Sequence, residues 1–515
     1  MRRIAHGSTS TPKLPSFGGN FTSLPPSDPS AEPRGPVGTP FGYLFEDLAQ
    51  KDAALLPRSS VTLDNLARLG DAMCETPQSS TLFSGIPSAY TYFAQFLDHD
   101  ITFTDVPKTP RDLTDSCMLA DSLLTPWPVD FIKREVKNRR ARILELDSVY
   151  GGDAPLTDEG ESYHFKLGRV TRAGHGLPNR DEFNDVPRMG RSSDPAEDRA
   201  ARIGDPRNDQ TVLISQLHVA FLRAHNAIVR LKRCSLDEAR EILRQHYHCI
   251  VVHDFLQRVT AEGTVEAVLA DPDPLYKPEA GAFFVPLEFT VAAFRFGHSM
   301  IRSVYYLNGN YPGLDLGLLF TLGAMKNHDT MPEGMVVEWK AFLDGFIGQG
   351  NTARLLDTRL VDTLRAVLDA VERPVPCETR LAVLDLKRGY MMRIPTGQAV
   401  AQRIGAHVMT AAEIEKAVGD EGQIRVLRES GFSERTPLWY YILAEAASSE
   451  VGGGGHRLGP VGSRLVAEVL IGLVRRCKPS ILSKTDPPWA PTLPSKVPGR
   501  FDLADLLRLA GVLID

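Results

Sequence analysis

The chain lacks a surplus of basic residues: 58 lysines and arginines stand against 64 aspartates and glutamates, for a formal net charge of -6. No lysine-rich or arginine-rich tail offsets that balance, so binding to a phosphate backbone has no electrostatic footing and nucleic acid is not an expected partner. Cysteine is scarce as well. The six cysteines, Cys74, Cys117, Cys234, Cys249, Cys377 and Cys477, form no CxxC pair and no dense framework. Neither a zinc site nor a disulfide scaffold is expected, and the thiols read as buried or free in a reducing compartment. The longest apolar run, around Val466 to Val474, is too short to cross a bilayer, and no apolar run follows the charged N-terminus MRRIAHGSTSTPKLPSFGG. These absences predict a cytoplasmic protein without a transmembrane segment, with export by a route that reads no N-terminal signal as the alternative. Nothing in the sequence specifies an oligomeric state.

What is present is ordinary globular material, 43% hydrophobic and 24% charged over 515 residues, enough for a large core. Residues 1 to 40 are rich in Pro, Gly and Ser and show no hydrophobic period, which predicts a flexible arm. Residues 41 to 515 alternate helical patterns with Pro/Gly-rich loops and show little strand-like alternation. They predict one large, mainly α domain with little β structure. The clearest helix follows Asn208, where Leu213, Leu217, Ala220 or Phe221, Ala224, Ile228 and Leu231 recur at three-to-four spacing. Another runs through Tyr90, Phe93, Phe96 and Leu97 and is expected to stop near Asp98 to Asp105. Further helical patterns cover 237 to 262, 288 to 306, 353 to 372 and 460 to 475. Residues 104 to 140 and 171 to 206 read as long loops of the kind that serve a site.

Three segments could carry chemistry. In FAQFLDHDITFTD, residues 93 to 105, Gln95, Asp98, His99 and Asp100 gather at the end of an aromatic helix, and a histidine there can act as a proton acceptor. Taken alone, it is more often an exposed polar helix end. In GDPRNDQTVLISQLHVAFLRAHNAIVRLKR, residues 204 to 233, Arg207 sits where the chain enters the long helix and can stabilise charge developing on an oxygen. Its commoner role is a helix-start ion pair. His218 and His225 on that helix read as packed, hydrogen-bonded histidines, because no carboxylate accompanies them at ligand spacing. In EFTVAAFRFGHSMIRSVYYLN, residues 288 to 308, His298 follows Gly297 in an apolar helix that leaves room for something flat. Iron and a hydrogen-bond acceptor would satisfy its two nitrogens, although a lone core histidine is the commoner case. His246, His248, His253, His328, His407 and His456 receive no role.

In this order the three segments resemble the distal-histidine motif, the distal-arginine helix and the proximal-histidine helix of the animal haem peroxidase family, within the peroxidase-cyclooxygenase superfamily. LELDSVYGG, residues 144 to 152, resembles the family's calcium loop. LDLKRGYMMRIPTGQAVAQRIG, residues 384 to 405, resembles the stretch that supports the proximal histidine. The likeness runs over roughly residues 80 to 480 and is nearest to bacterial members without a signal peptide. It implies a mainly α haem-peroxidase domain, with haem b between the distal helix and the proximal histidine. It further implies a haem-dependent peroxidase, an oxidoreductase that reduces hydrogen peroxide and oxidises small donors such as phenolics, iodide, thiocyanate or other halides. His99 would accept and return the peroxide proton, Arg207 would stabilise the charge as the O–O bond breaks, and Gln95 would order water or halide. His298 would ligate the haem iron, and Arg295 would lie near the propionates. Asp100, Glu145 and Asp147 by side chain, with Ala141 and Ile143 by carbonyl, would hold calcium.

The sequence departs from the family pattern at several places. Members that attach haem by two esters use one carboxylate matched by Asp98 and another matched by Gln210, and an amide cannot form that ester. One link at most is expected, through Asp98. Asp209 points off that face, and Thr211 rules out a sulfonium link. Gln398 takes the place of the asparagine that supports the proximal histidine. Ala141 and Glu145 stand where threonine and aspartate are usual, which makes calcium less certain than haem. Two other readings remain: a fatty-acid dioxygenase or cyclooxygenase-like oxygenase, and a haem-binding protein without catalysis. The oxygenases carry a radical tyrosine three residues before the proximal histidine, where this chain has Arg295. Tyr305 or Tyr306 would have to replace it. The presence of both His99 and Arg207 argues against a non-catalytic role.

Overall fold

Long helices form wherever apolar residues recur on one face and a side chain caps the start. The computed structural model describes residues 39–74, 83–105, 125–138, 140, 143–152, 154–157, 163–171, 182–194, 197–277, 283–321, 330–343, 350–366 and 380–513. Its principal helices are α1 (Ser60–Met73), α2 (Ala89–Ile101), α3 (Val212–Lys232), α4 (Leu236–Ile250), α5 (Leu381–Met391), α6 (Gly397–Arg403), α7 (Leu438–Ala447) and α8 (Pro460–Arg476). The Thr211 hydroxyl accepts from the Ile214 N–H at the start of α3, and Ser235 with Glu238 forms a reciprocal capping box on α4. The mainly α architecture is as expected, and α8 occupies the predicted 460–475 stretch. Strands are short. Thr39–Gly42 pairs antiparallel with Lys137–Asn138 and parallel with Val285–Pro286, and two further pairs join Phe83–Pro87 to Thr352–Arg354 and Val304–Tyr305 to Leu314–Asp315.

The centre of the molecule is aromatic. Phe96 of α2 stacks on Phe221 of α3 at 4.4 Å, and Tyr247 of α4 meets both rings edge-on at 6.4 and 5.8 Å. All three side chains are buried, and each such ring contributes roughly 2–3 kcal/mol through burial. This wedge fixes α2 against α3 and α4, and α2 also packs on the Ala293–His298 segment. One helix, α3, is long and apolar enough to cross a membrane, but 89% of that window is buried inside the protein. Its length reflects a core position.

Several expected boundaries are corrected. The helix through Phe96 ends within the expected Asp98 to Asp105 stretch. It runs to Ile101, so Asp98, His99 and Asp100 are helical and His99 lies one turn beyond Gln95. The 288–306 stretch is not one helix: a turn of helix at Leu287–Thr290 gives way to a 3-10 turn at Ala293–His298 and then to the strand Val304–Tyr305. The break falls at Ala292, with φ -135° and ψ -74°, which no continuous helix accommodates. Residues 353–366 of the predicted 353–372 helix form strand, loop and the 3-10 turn Asp362–Ala366, and the rest lies outside the described residues. Of the expected arm, residues 1–38 lie outside the described residues, while Thr39 and Pro40 already belong to the first strand. The 104–140 loop contains the helix Val129–Glu135. Cys74, Cys234, Cys249 and Cys477 are free, and Cys117 and Cys377 lie outside the described residues.

Candidate active site

Two half-sites meet where α2, the turn Pro206–Asp209, the Ala293–His298 turn and α5 converge. The first is built on Asp205, which is fully buried and caps the 206–209 turn by accepting from the Arg207 N–H at 2.9 Å. The Arg207 guanidinium pairs with Asp205 at 2.7 Å, and Arg140 pairs with the same carboxylate. Burial would raise the Asp205 pKa, but the two arginines outweigh it and hold the carboxyl well below its ordinary value. Arg207 Nη2 also donates to the carbonyls of His99 (3.0 Å) and Thr102 (2.6 Å). With Nε and Nη2 committed, Nη1 is the end without a hydrogen-bond partner among the described residues. A Cβ at Gly204 would lie 2.4–2.7 Å from the carbonyl oxygens of Gly151, Asp147 and Ser148, so only glycine lets this turn lie against the 147–151 loop.

His99 is buried, and its Nδ1 lies 2.7 Å from Asn208 Oδ1. Its Nε2 has no partner among the described residues. Burial first, and the Arg207 charge second, lower its pKa to about 4, so the ring is neutral at physiological pH and free to accept a proton. Gln95, one turn earlier on the same face of α2, makes no side-chain hydrogen bond among the described residues. Gln210 uses its N–H to close the turn on the Arg207 carbonyl at 3.2 Å. Asp209 is turned away and ion-pairs with Arg188 at 2.8 Å.

The second half-site is built on Asp385 of α5, whose side chain is completely buried. One carboxylate oxygen accepts from His298 Nδ1 at 2.7 Å, and the other from Arg295 Nη1 at 2.6 Å and Arg388 Nη1 at 3.3 Å. Burial would raise the Asp385 pKa, but Arg295, His298 and Arg388 together bring it down to about 2. His298 Nε2 is without a partner among the described residues, and a Cβ built on the adjacent Gly297 would meet nothing within 4 Å. Trp439 of α7 stands edge-on to the His298 ring at 6.3 Å and donates from its indole nitrogen to the Arg295 carbonyl at 3.2 Å. The two half-sites come into electrostatic reach through Asp98 of α2, which acts on the buried Arg388 guanidinium. Asp98 itself accepts from the Thr102 hydroxyl at 3.2 Å.

Gln398 is not at the site. Its amide nitrogen donates to Thr436 Oγ1 (2.8 Å) and the Ser433 carbonyl (3.2 Å), and its oxygen accepts from the Thr436 N–H (2.9 Å). These bonds hold the start of α6 to the turn before α7. The hydrogen bond to His298 expected of Gln398 is made by Asp385, thirteen positions earlier in the same resembling stretch.

The residues present do not fit calcium. Glu145 is engaged by Arg244 at 2.8 Å and Arg240 at 3.6 Å, which cancel the charge a cation would need. Asp100 is buried; its oxygens accept from the Leu146 and Ser148 N–H groups, both at 3.2 Å, and from Tyr247 Oη at 3.4 Å. Burial and the neighbouring Asp147 charge push its pKa up to about 7. Ile143 offers only its backbone, Ala141 lies outside the described residues, and among those described no three His, Cys, Asp or Glu side chains gather as a metal site. The tie expected of a cation between α2 and the 144–152 loop is made by hydrogen bonds instead.

A porphyrin does fit. Among the described residues, two packed segments present one unbonded imidazole nitrogen each, and the Arg388 Nε is buried without a hydrogen-bond partner. Such an orphaned cationic donor suits a carboxylate, and haem carries two.

The comparisons with known proteins agree. A "Peroxidase-like protein" from Margaritifera margaritifera is 27% identical over 59% of this chain and 44% of its own length. Human eosinophil peroxidase is 22% identical over 82% of this chain and 64% of its own. The chain thus spans less than two thirds of either relative. Among solved structures, peroxidase A from Dictyostelium discoideum has a TM-score of 0.55 at 16% identity, covering 90% of this chain and 91% of that one. A fatty acid alpha-dioxygenase from Arabidopsis thaliana has a TM-score of 0.52 at 13% identity, covering 85% and 71%. At these identities both show the fold alone. The sequence model of the family described as animal haem peroxidase matches residues 122–429, which include Arg207, His298 and Asp385 and lie downstream of His99. That match takes in more than half of the chain, which belongs to the animal haem peroxidase family.

Proposed function

We propose that this chain binds haem b between α2 and the Ala293–His298 turn and reduces hydrogen peroxide while oxidising small donors. The observation that carries the reading is the pair of imidazoles on packed segments, each with its Nδ1 bonded inward and its Nε2 unbonded. Bound haem would supply the iron at which peroxide is cleaved and the oxidising equivalents passed to the donor. His298 Nε2 would be its protein ligand, and Arg388 and Arg295 would receive the propionates. On the other side, His99 Nε2 takes a proton from peroxide and returns it to the departing oxygen, while Arg207 Nη1 meets the negative charge that builds there. Because His99 is neutral down to about pH 4, the base is available across the physiological range.

The likeness to a fatty acid alpha-dioxygenase raises a lipid oxygenase as the second reading. The position three residues before His298 opposes it: Arg295 has a guanidinium committed to Asp385 and cannot form a phenoxyl radical. The test is direct. The purified chain is expected to show a Soret band and to oxidise a phenolic dye or iodide with hydrogen peroxide, and His99→Ala is expected to keep the band and lose turnover. Full turnover in that variant overturns the mechanism. Oxygen uptake with an unsaturated fatty acid and no peroxide favours the lipid reading instead.

A further inference from the structure

Beyond the residues so far given a chemical role, Asn208 stands between two histidines and touches both. Its Oδ1 is 2.7 Å from His99 Nδ1 and its Nδ2 is 3.0 Å from His218 Nδ1. All three side chains are buried, with Asn208 and His218 fully so. A side-chain amide is polar in one direction only: its oxygen accepts and its nitrogen donates. With the oxygen on His99, that ring must carry its proton on Nδ1, which leaves a lone pair on Nε2. With the nitrogen on His218, that ring must be bare at Nδ1 and protonated at Nε2, where it has no partner. We propose that Asn208 is the positioning residue that sets the tautomer and aim of His99, and that His218 holds Asn208 in the orientation this requires.

The surroundings make the arrangement rigid. Asn208 belongs to the same capped turn as Arg207, so one short segment delivers the charge-stabilising guanidinium and the amide that orients the base. His218 lies on α3, and its ring is tilted against Phe96, three residues before His99, with centroids 6.2 Å apart. Phe96 in turn stacks on Phe221. A turn of the amide alone would set like against like at both rings, so it would have to be matched by a tautomer change in His99 and His218 together, inside a dry core where an unmet polar group is expensive. A neutral imidazole free to exchange tautomers would present an N–H to peroxide in part of its population, and in that form it cannot accept the proton. The buried histidine on the long helix therefore acts through Asn208 on a ring that it does not touch.

This inference rests on the peroxidase reading for its chemical purpose, but its first test does not. The full-length chain, labelled with 15N in histidine, is examined by NMR with and without zinc protoporphyrin as a diamagnetic stand-in for haem. The expected result is a His99 proton on Nδ1 and a bare Nε2, with the assignment made by comparison with His99→Gln. A His99 proton on Nε2 in the wild-type chain overturns the proposal. Asn208→Leu is expected to lose the single tautomer and to slow peroxide consumption about 10- to 100-fold at unchanged Soret absorbance and unchanged KM for the donor. Asn208→Asp keeps an acceptor for Nδ1–H and should restore most of the rate. If Asn208→Leu does not fold, the His218 pair decides: Gln can still accept from the amide and should retain most of the rate, whereas Leu should lose the tautomer and the rate together. Equal rates in the two His218 variants overturn the proposal. A wild-type chain with no Soret band and no turnover, yet with the Nδ1 proton and its loss in His218→Leu, refutes the haem reading and supports the positioning one.

Discussion

Replacing Asp385 by Asn tests the proximal half-site most sharply, because the amide keeps the shape and removes only the charge. The carboxyl sits at about 2 in the folded chain against an ordinary 3.8. A difference of that size corresponds to about 2 kcal/mol of stability. The sign follows from the direction: a depressed folded pKa gives a contribution that is complete above the unfolded value and is lost as pH falls through about 2. Asn imitates the protonated form, so Asp385→Asn is expected to cost about 2 kcal/mol, with the same difference at pH 7 and pH 5. The loss falls on the arginines. Arg388, only 13% exposed in its side chain, would keep a buried charge with its nearest anion gone, and Arg295 at 25% exposed would be partly relieved by water. The assay is urea unfolding of the full chain at both pH values. The amide oxygen can still accept from His298 Nδ1, so haem should be retained. Without the anion behind the imidazole, the Fe(III)/Fe(II) midpoint potential in a spectroelectrochemical titration should rise. Unaltered stability at pH 7, or a potential that falls, would refute the charge argument.

Asp98 is the carboxylate expected to form an ester. Denaturing extraction should leave haem on part of the wild-type chain and on none of Asp98→Ala, and complete release from the wild type would mean that Asp98 is unlinked. Because Asp100 is met by three hydrogen bonds, a chelator should leave both the thermal midpoint and the Soret band unchanged; a fall in either would show that a metal is held there. His246 donates from Nδ1 to the Ile242 carbonyl at 2.7 Å, and its Nε2 accepts from the N–H groups of Thr492 and Leu493 at 2.9 and 3.1 Å. Burial lowers its pKa to about 4 from 6.5. Its contribution of about 3 kcal/mol should therefore be complete above pH 6.5 and lost as pH falls toward 4. Limited proteolysis should find the 490–513 segment more readily cut at pH 5 than at pH 7, and equal cutting would refute the assignment.

The sequence disclosed the helical class and singled out the three principal residues of the candidate site for a simple reason. His99, Arg207 and His298 each sit in a local pattern, and their order along the chain carries information that no one of them has alone. What it concealed was contact between distant segments. Asp385 lies 87 positions from His298, inside the helix Leu381–Met391, and a lone aspartate among its apolar residues looks like any polar interruption. Gln398 attracted the supporting role by register in a resembling stretch, although its bonds lie with Ser433 and Thr436. The cations that compete for Glu145 were concealed similarly: Arg240 and Arg244 come from α4, and nothing near Glu145 in sequence announces them. Local errors had a different origin. The apolar period around His298 is real, but the break at Ala292 and the strand pairing of Val304–Tyr305 are set by packing and override it.

Both half-sites rest on one device, a buried carboxylate clamped between two arginines: Asp205 by Arg140 and Arg207, Asp385 by Arg295 and Arg388. Each clamp carries one more cation than anions. Excess positive charge in a dry interior is unfavourable unless something negative arrives to meet it. On the side of Asp205, under the proposed function, that group would be the oxygen left negative as peroxide breaks, which Arg207 Nη1 is free to meet. On the side of Asp385 it would be the pair of haem carboxylates, for which Arg388 Nε has no hydrogen-bond partner among the described residues. Asp98 supplies a single anion between the clamps, too few to neutralise both. The charge distribution would thus suit a dianionic cofactor and a developing oxyanion, and it gives a reason for Arg295 that a tyrosine at that position could not meet.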